Sequence, residues 1–209
     1  MLAYFRHGFG DYLKSNIVLY FVVILIFLIG IVAGAMAIKV LPETQKMELV
    51  QYLNLFFNEI TQQSSNGQGL LWPTLLGQLK LILLIWILGF TIIGIPFVLL
   101  IVFTRGFIIG FTVGFLINAY VFKGLFFALL SVLPHNLIVI PLLIMTSVTA
   151  IRFSIKLIRR KSHLGNRLFT DSINYSILCF MAGIGMAVSV LMEVYITPVF
   201  MRLVAGMFV

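Results

Sequence analysis

The stretch NIVLYFVVILIFLIGIVAGAMAI, residues 16–38, decides the fold. No charge occurs between Lys14 and Lys39. In lipid such a run is at home, because about 20 apolar residues span a hydrocarbon core of roughly 30 Å. Every backbone N–H and C=O inside that core must be satisfied by the segment itself, so the run is a helix. Ala35-Met36-Ala37 near its end resembles a signal-peptidase site. The apolar run ahead of it exceeds the roughly 7–15 residues of a signal peptide, so the segment reads as an uncleaved anchor.

The rest of the chain repeats the theme. Of 209 residues 62% are apolar and 10% charged, too little polar surface for a water-soluble domain. Further spans are predicted over 75–104, 106–122, 124–151 and 172–197, with Arg105 ending the second and Lys123 closing the third. The fold class is therefore an all-α integral membrane protein, a bundle of about five transmembrane helices. Lys80 sits near the outer end of the second span, from which it snorkels to the headgroups. Gly94 and Pro96 lie within the same span as candidate kink residues. Residues 1–15 are aromatic and mildly basic and suit the membrane interface. Residues 198–209 form an apolar tail.

Between the first two predicted spans lies the one sizeable polar segment, 39–74. Pro42 and Glu43 open it as a helix start. Met47, Val50, Leu53, Phe57 and Ile60 recur at spacings of three and four, and Leu49 and Phe56 widen the stripe. That pattern is an amphipathic helix. Three placements are open to it: on the leaflet surface, as a lid over the bundle, or docked in a groove of a partner. Residues 61–69 follow as a polar connector.

The net charge is +8, and most of the excess falls in 152–171, as Arg152, Lys156, Arg159, Arg160, Lys161 and Arg167. Basic loops stay cytoplasmic. That rule predicts a multi-pass protein with a cytoplasmic N-terminus and Arg105 inside, and it turns the 39–74 segment outward. The basic loop sets topology and meets anionic lipid; the partner it implies is the bilayer, and no nucleic acid. Cys179 is the single cysteine and forms no internal disulfide.

Catalytic residues are scarce. The histidines are His7, His135 and His163, without the close pairing of a zinc-binding helix. The acids are Asp11, Glu43, Glu48, Glu59, Asp171 and Glu193, and most are expected at span ends. No phosphate-cradling loop is visible, so neither an enzyme nor a cofactor is predicted. One place stands out. Pro134 and Pro141 each remove a helix donor, and His135 and Asn136 would lie near mid-membrane, where polar groups are expensive and often functional. They are read as capping a helix break, as forming a substrate or ion site, or as a contact for a partner. Small residues are spaced for helix packing: Gly30 with Gly34; Gly106, Gly110 and Gly114; Gly183 with Ala187. Such seams serve packing within the chain or self-association into a homo-oligomer.

The order of segments, Arg105-Gly106 before a glycine-rich span, and the Pro134-His135 pair together resemble the stage II sporulation protein M family over essentially the whole chain. The wider family often shows proline-histidine-glycine, then a glutamate, then a further proline. Here Pro134, His135 and Pro141 match, Asn136 replaces the glycine, and Val139 stands where the glutamate would be. The resemblance implies a membrane scaffold that localises the peptidoglycan-degrading stage II sporulation proteins D and P at the sporulation septum and the engulfing mother-cell membrane of a bacterial cell. The predicted partner surface is Met47, Val50, Leu53, Phe56, Phe57 and Ile60. A transporter or permease-like subunit is the alternative, drawn from the prolines of the fourth span and His135.

Overall fold

A computed structural model describes residues 16–62, 68–159 and 165–196. Every element among them is helical. These are α1 (Ile17–Val40), α2 (Glu43–Gln62), α3 (Gln68–Gly89), α4 (Gly94–Arg159) and α5 (Gly165–Leu191), which ends in a π-helical turn, Met192–Ile196. Four stretches are long and apolar enough to cross a membrane: Ile17–Val40, Leu71–Gly89, Gly94–Ile158 and Phe169–Tyr195. The chain is an all-α membrane protein. Phe21, Leu28, Phe97, Phe126 and Phe180 point outward, as expected of a surface solvated by lipid chains.

At 66 residues, a straight α4 would be about 100 Å long at ~1.5 Å per residue, more than three hydrocarbon cores. It reverses instead. Val121 has φ 50° and ψ −120°, a left-handed conformation rare for a β-branched residue. Gly124 is needed just beyond, because a Cβ there would strike the Leu116 carbonyl. The two arms, 94–120 and 122–159, close on Leu116, Phe127 and Ala128, with Leu53 of α2 packed against that cluster. Helix α2 begins as its sequence predicts, with Lys46 N–H bonded to the Pro42 carbonyl at 3.1 Å. The side chains of Phe56, Phe57 and Ile60 lie outside the described residues.

The predicted segment 75–104 contains a turn. Helix α3 stops at Gly89 and α4 starts at Gly94. Helix ends leave carbonyls without partners, and two neighbours supply them here. The Tyr175 hydroxyl lies 2.9 Å from the Ile85 carbonyl and 3.2 Å from that of Trp86. Ser154 Oγ lies 2.8 Å from the Gly89 carbonyl and 3.1 Å from that of Thr91. A Cβ at Gly89 would strike the Tyr175 hydroxyl, and one at Gly94 the Leu88 carbonyl. Pro96 falls in the first turn of α4, where its missing N–H costs nothing. The pair Gly94 and Pro96 therefore starts a helix and does not kink one. Arg105 consequently sits inside an arm, about 16 Å from Gly94 along the axis, and does not end a span. Residues 152–159 and 165–171, expected in a loop, are helical.

Helix α1 packs on the first arm of α4 in parallel. Its buried stripe is Val23, Phe27, Gly30, Gly34 and Ile38. Opposite lie Val98, Val102, Gly106 and Gly110, all buried, with Gly114 continuing the series. A Cβ at Gly30 would strike the Phe103 carbonyl, at Gly34 the Phe107 carbonyl, at Gly106 the Phe27 carbonyl and at Gly110 the Ile31 carbonyl; at Gly114 it would lie 3.1 Å from the Ala35 Cα. Main chain meets main chain along the seam, the contact that small residues permit in a membrane. Gly183 behaves differently. Its nearest neighbours would be the tips of Ile82 and Leu79 at 3.9 and 4.0 Å. It lines an apolar groove of about 600 Å³ between α3 and α5, with Trp86, Phe180 and Ala187, and is not a close-approach residue.

Nor is the predicted helix break present. Helix α4 runs through Pro134 and Pro141 in helical conformation; Val121 is its one departure. Packed neighbours let membrane helices carry prolines in this way.

Two expectations follow. Gly34→Leu and Gly110→Leu each lower stability in detergent by about 3 kcal/mol, the upper range for overpacking. Gly77→Leu is near neutral, since nothing lies within 4 Å of its Cβ position. Val121→Gly raises the unfolding free energy by about 1 kcal/mol through relief of the left-handed strain. Thermal or SDS unfolding of the purified variants measures all of these.

Candidate functional site

His135 is buried on the second arm of α4. Its ring does not cap its own helix. Nor does Asn136, whose Nδ2 donates to the Val132 carbonyl at 2.7 Å, while the carbonyls that lose a donor to the prolines are those of Leu130 and Leu137. The His135 ring reaches two other helices. Nε2 lies 3.2 Å from Gln78 Nε2 on α3. Nδ1 lies 3.2 Å from the Ser189 carbonyl on α5 and 3.3 Å from Glu193 Oε2 in the π-helical turn. Gln78, also buried, accepts from Arg105 Nη2 at 3.3 Å.

The donors and acceptors of this network admit one arrangement. Arginine can only donate, so the Gln78 carbonyl oxygen faces Arg105 and its amide nitrogen faces His135. The His135 Nε2 then accepts. The Ser189 carbonyl and the Glu193 carboxylate can only accept, so Nδ1 carries the hydrogen. Arg105, Gln78 and His135 form a directed relay that crosses from the first arm of α4 through α3 and the second arm to the Ser189 carbonyl of α5, with the Glu193 carboxylate beside its end. Partners are what make polar groups tolerable at membrane depth; Glu193 Oε2, though close to His135, is the group here left without a hydrogen bond among the described residues. The π-helical geometry at 192–196 places Glu193 beside the relay; such bulges are frequent at functional sites.

Sequence spacing brought out His135 and Asn136 but not the partners. Gln78 and Arg105 are 27 residues apart, and Gln78 and His135 are 57 apart. A lone cation between two apolar runs marks a span boundary in sequence, whereas Arg105 lies inside the first arm of α4. Val139 is a core residue at 2% exposure, and the carboxylate near the histidine comes from Glu193. Met47 of the predicted partner stripe is exposed, Val50 and Leu53 are half-buried, and none of them approaches the relay. Pro134 and Pro141 flank the relay histidine on its helix and contribute no hydrogen bond to it.

His135→Ala leaves the Gln78 amide without its acceptor and should cost about 1–3 kcal/mol. A double-mutant cycle of Gln78→Leu with Arg105→Met should give a coupling of about 0.5–1.5 kcal/mol, the range found for polar contacts between membrane helices. Detergent unfolding reads both; a coupling of zero means the two side chains act independently.

A family model for stage II sporulation protein M matches residues 23–198, from the second turn of α1 to beyond the π-helical turn, so that most of α1, all of α2 and the whole relay lie within it. No curated protein and no solved structure matches the chain. With the matched region covering most of the chain, the protein belongs to the stage II sporulation protein M family.

Proposed function

We propose that this sporulation membrane protein is a non-catalytic scaffold that recruits and localises peptidoglycan-degrading partners, stage II sporulation proteins D and P, during engulfment of the forespore. The observation that carries the proposal is the standing of α2 in a chain of this family. Leu53 seats α2 on the hairpin of α4, while Met47, Tyr52 and Leu55 remain more than 60% exposed. An amphipathic helix with apolar residues left over is suited to a groove on another protein.

Topology supports the same reading. Counting the two arms of α4 separately gives five crossings. Arg152 and Lys156 lie at the end marked by the 90–93 turn, the cytoplasmic end by the positive-inside rule. The N-terminus is then cytoplasmic, and α2 lies at the opposite, outer end, on the side where peptidoglycan is found. Localisation to the septum and to the engulfing membrane is part of the same proposal, supported by the resemblance to the family.

A second reading, transport, is favoured by one observation: a buried Arg-Gln-His relay with a carboxylate beside it at membrane depth, since ionisable groups there mark substrate and ion paths in many proteins. The two readings separate in one experiment. The chain is purified in mild detergent from sporulating cells, and what accompanies it is identified by mass spectrometry. The scaffold predicts proteins D and P, with recovery reduced several-fold by a Met47→Glu, Phe56→Ser, Phe57→Ser variant that still inserts in the membrane. Recovery of an ATPase or a soluble substrate-binding protein in their place supports transport and contradicts the scaffold.

A further inference from the structure

The second arm of α4, 122–159, is about 55 Å long at ~1.5 Å per residue, well beyond a hydrocarbon core of roughly 30 Å. The turn at 90–93 ends α3 at Gly89, the last residue of a stretch long and apolar enough to cross a membrane, so a bilayer spanned by α3 has its surface there. Ser154 touches that turn through the Gly89 and Thr91 carbonyls, so Arg152 and Lys156 stand at the headgroup level. They are four residues apart and share one helix face. Asp171, Asn174 and Leu178 face them from α5.

Between these walls lies a cavity of about 250 Å³. Its floor is rigid. Phe153 and Tyr175 stack at 4.9 Å and 12°, and Phe90 packs edge-on to both at 5.2 and 5.6 Å. Lys156 Nζ lies 3.0 Å from Asp171 Oδ1, which holds the ammonium at the cavity rim. The lining thus combines two cations, an amide and a carboxylate over an aromatic and aliphatic floor. A purely inorganic anion would make no use of that floor, nor of Asp171 as a hydrogen-bond acceptor. A phosphodiester that bears hydroxyl groups and an acyl tail meets every feature.

We infer that this cavity binds the headgroup of an anionic phospholipid of the phosphatidylglycerol type. The phosphate sits between Arg152 and Lys156, Asp171 accepts from a headgroup hydroxyl, and the glycerol and upper acyl carbons rest on Leu178 and the Phe153–Tyr175 stack. Basic pockets between membrane helices at the cytoplasmic side take such headgroups. The site is independent of the scaffold role.

The test uses the full chain in mild detergent, equilibrated with equal amounts of phosphatidylglycerol and phosphatidylethanolamine, with bound lipid read by native mass spectrometry. The wild type retains phosphatidylglycerol in several-fold excess. Arg152→Gln and Lys156→Gln each lower retention about fivefold. Leu178→Trp, which fills the cavity without changing charge, lowers it too. Lys39→Gln, at the opposite end of the bundle, leaves it unchanged. Melting midpoints of all variants are recorded, and Arg152→Lys should keep most of the retention. Retention that survives the Arg152 and Lys156 variants overturns the proposal. So does retention lost in those variants but kept in Leu178→Trp, which would mark a general surface charge. In a parallel arm, millimolar inorganic phosphate that displaces the lipid, or stabilises the chain as much as dioctanoyl phosphatidylglycerol, overturns it as well.

Discussion

Everything in this bundle is arranged around the backbone-to-backbone seam between α1 and the first arm of α4. Lipid supplies no hydrophobic force between helices, so their association rests on close packing and polar contacts. The glycines at 30, 34, 106 and 110 let main-chain atoms touch where any Cβ would collide. The seam is parallel, and this has a topological consequence. Two consecutive parallel helices require an antiparallel one between them, and α3 provides it. The end of α1 and the reversal at Val121 are thereby brought to the same end of the bundle, and α2, which leaves α1 there, meets the α4 hairpin through Leu53.

The other half of the bundle is held by polar atoms. Tyr175 and Ser154 take up the carbonyls where α3 ends, and Trp86 Nε1 donates to Ser176 Oγ at 3.1 Å. The Arg105–Gln78–His135 relay joins both arms of α4 to α3 and the end of α5. Each contact is worth little by itself in a membrane protein, but each leaves a partner unsatisfied when cut. The polar set therefore specifies one arrangement of helices that are otherwise uniformly apolar. The anionic-lipid cavity uses the same aromatic floor, so the surface that clasps α3 also faces the headgroups.

Much of this was legible in sequence for a physical reason. Membrane helices announce themselves by length and by absence of charge, and amphipathic periodicity placed α2 from Glu43 onward. The glycines at 30, 34, 106, 110 and 114 were readable as packing residues because fourfold spacing survives in one dimension. Three features were not. The turn at 90–93 is apolar and is stabilised by side chains far along the chain. Arg105 looked like a boundary because a cation usually is one, and only the Gln78 contact shows why it is tolerated inside. Pro134 and Pro141 suggested a break that the packed neighbours of α4 suppress. Gly183 shares the spacing of the seam glycines but faces an open groove, which spacing cannot reveal.

The central functional claim is that α2 is the docking element of a sporulation scaffold. It is tested most directly by photo-cross-linking in sporulating cells, with a photoreactive side chain placed at Leu55 on α2 and, for comparison, at Leu28 on the lipid-facing side of α1. The account predicts adducts to a peptidoglycan-degrading protein from position 55 and lipid or no protein from position 28. Adducts from position 28 alone, or none to such a protein from position 55, would contradict it.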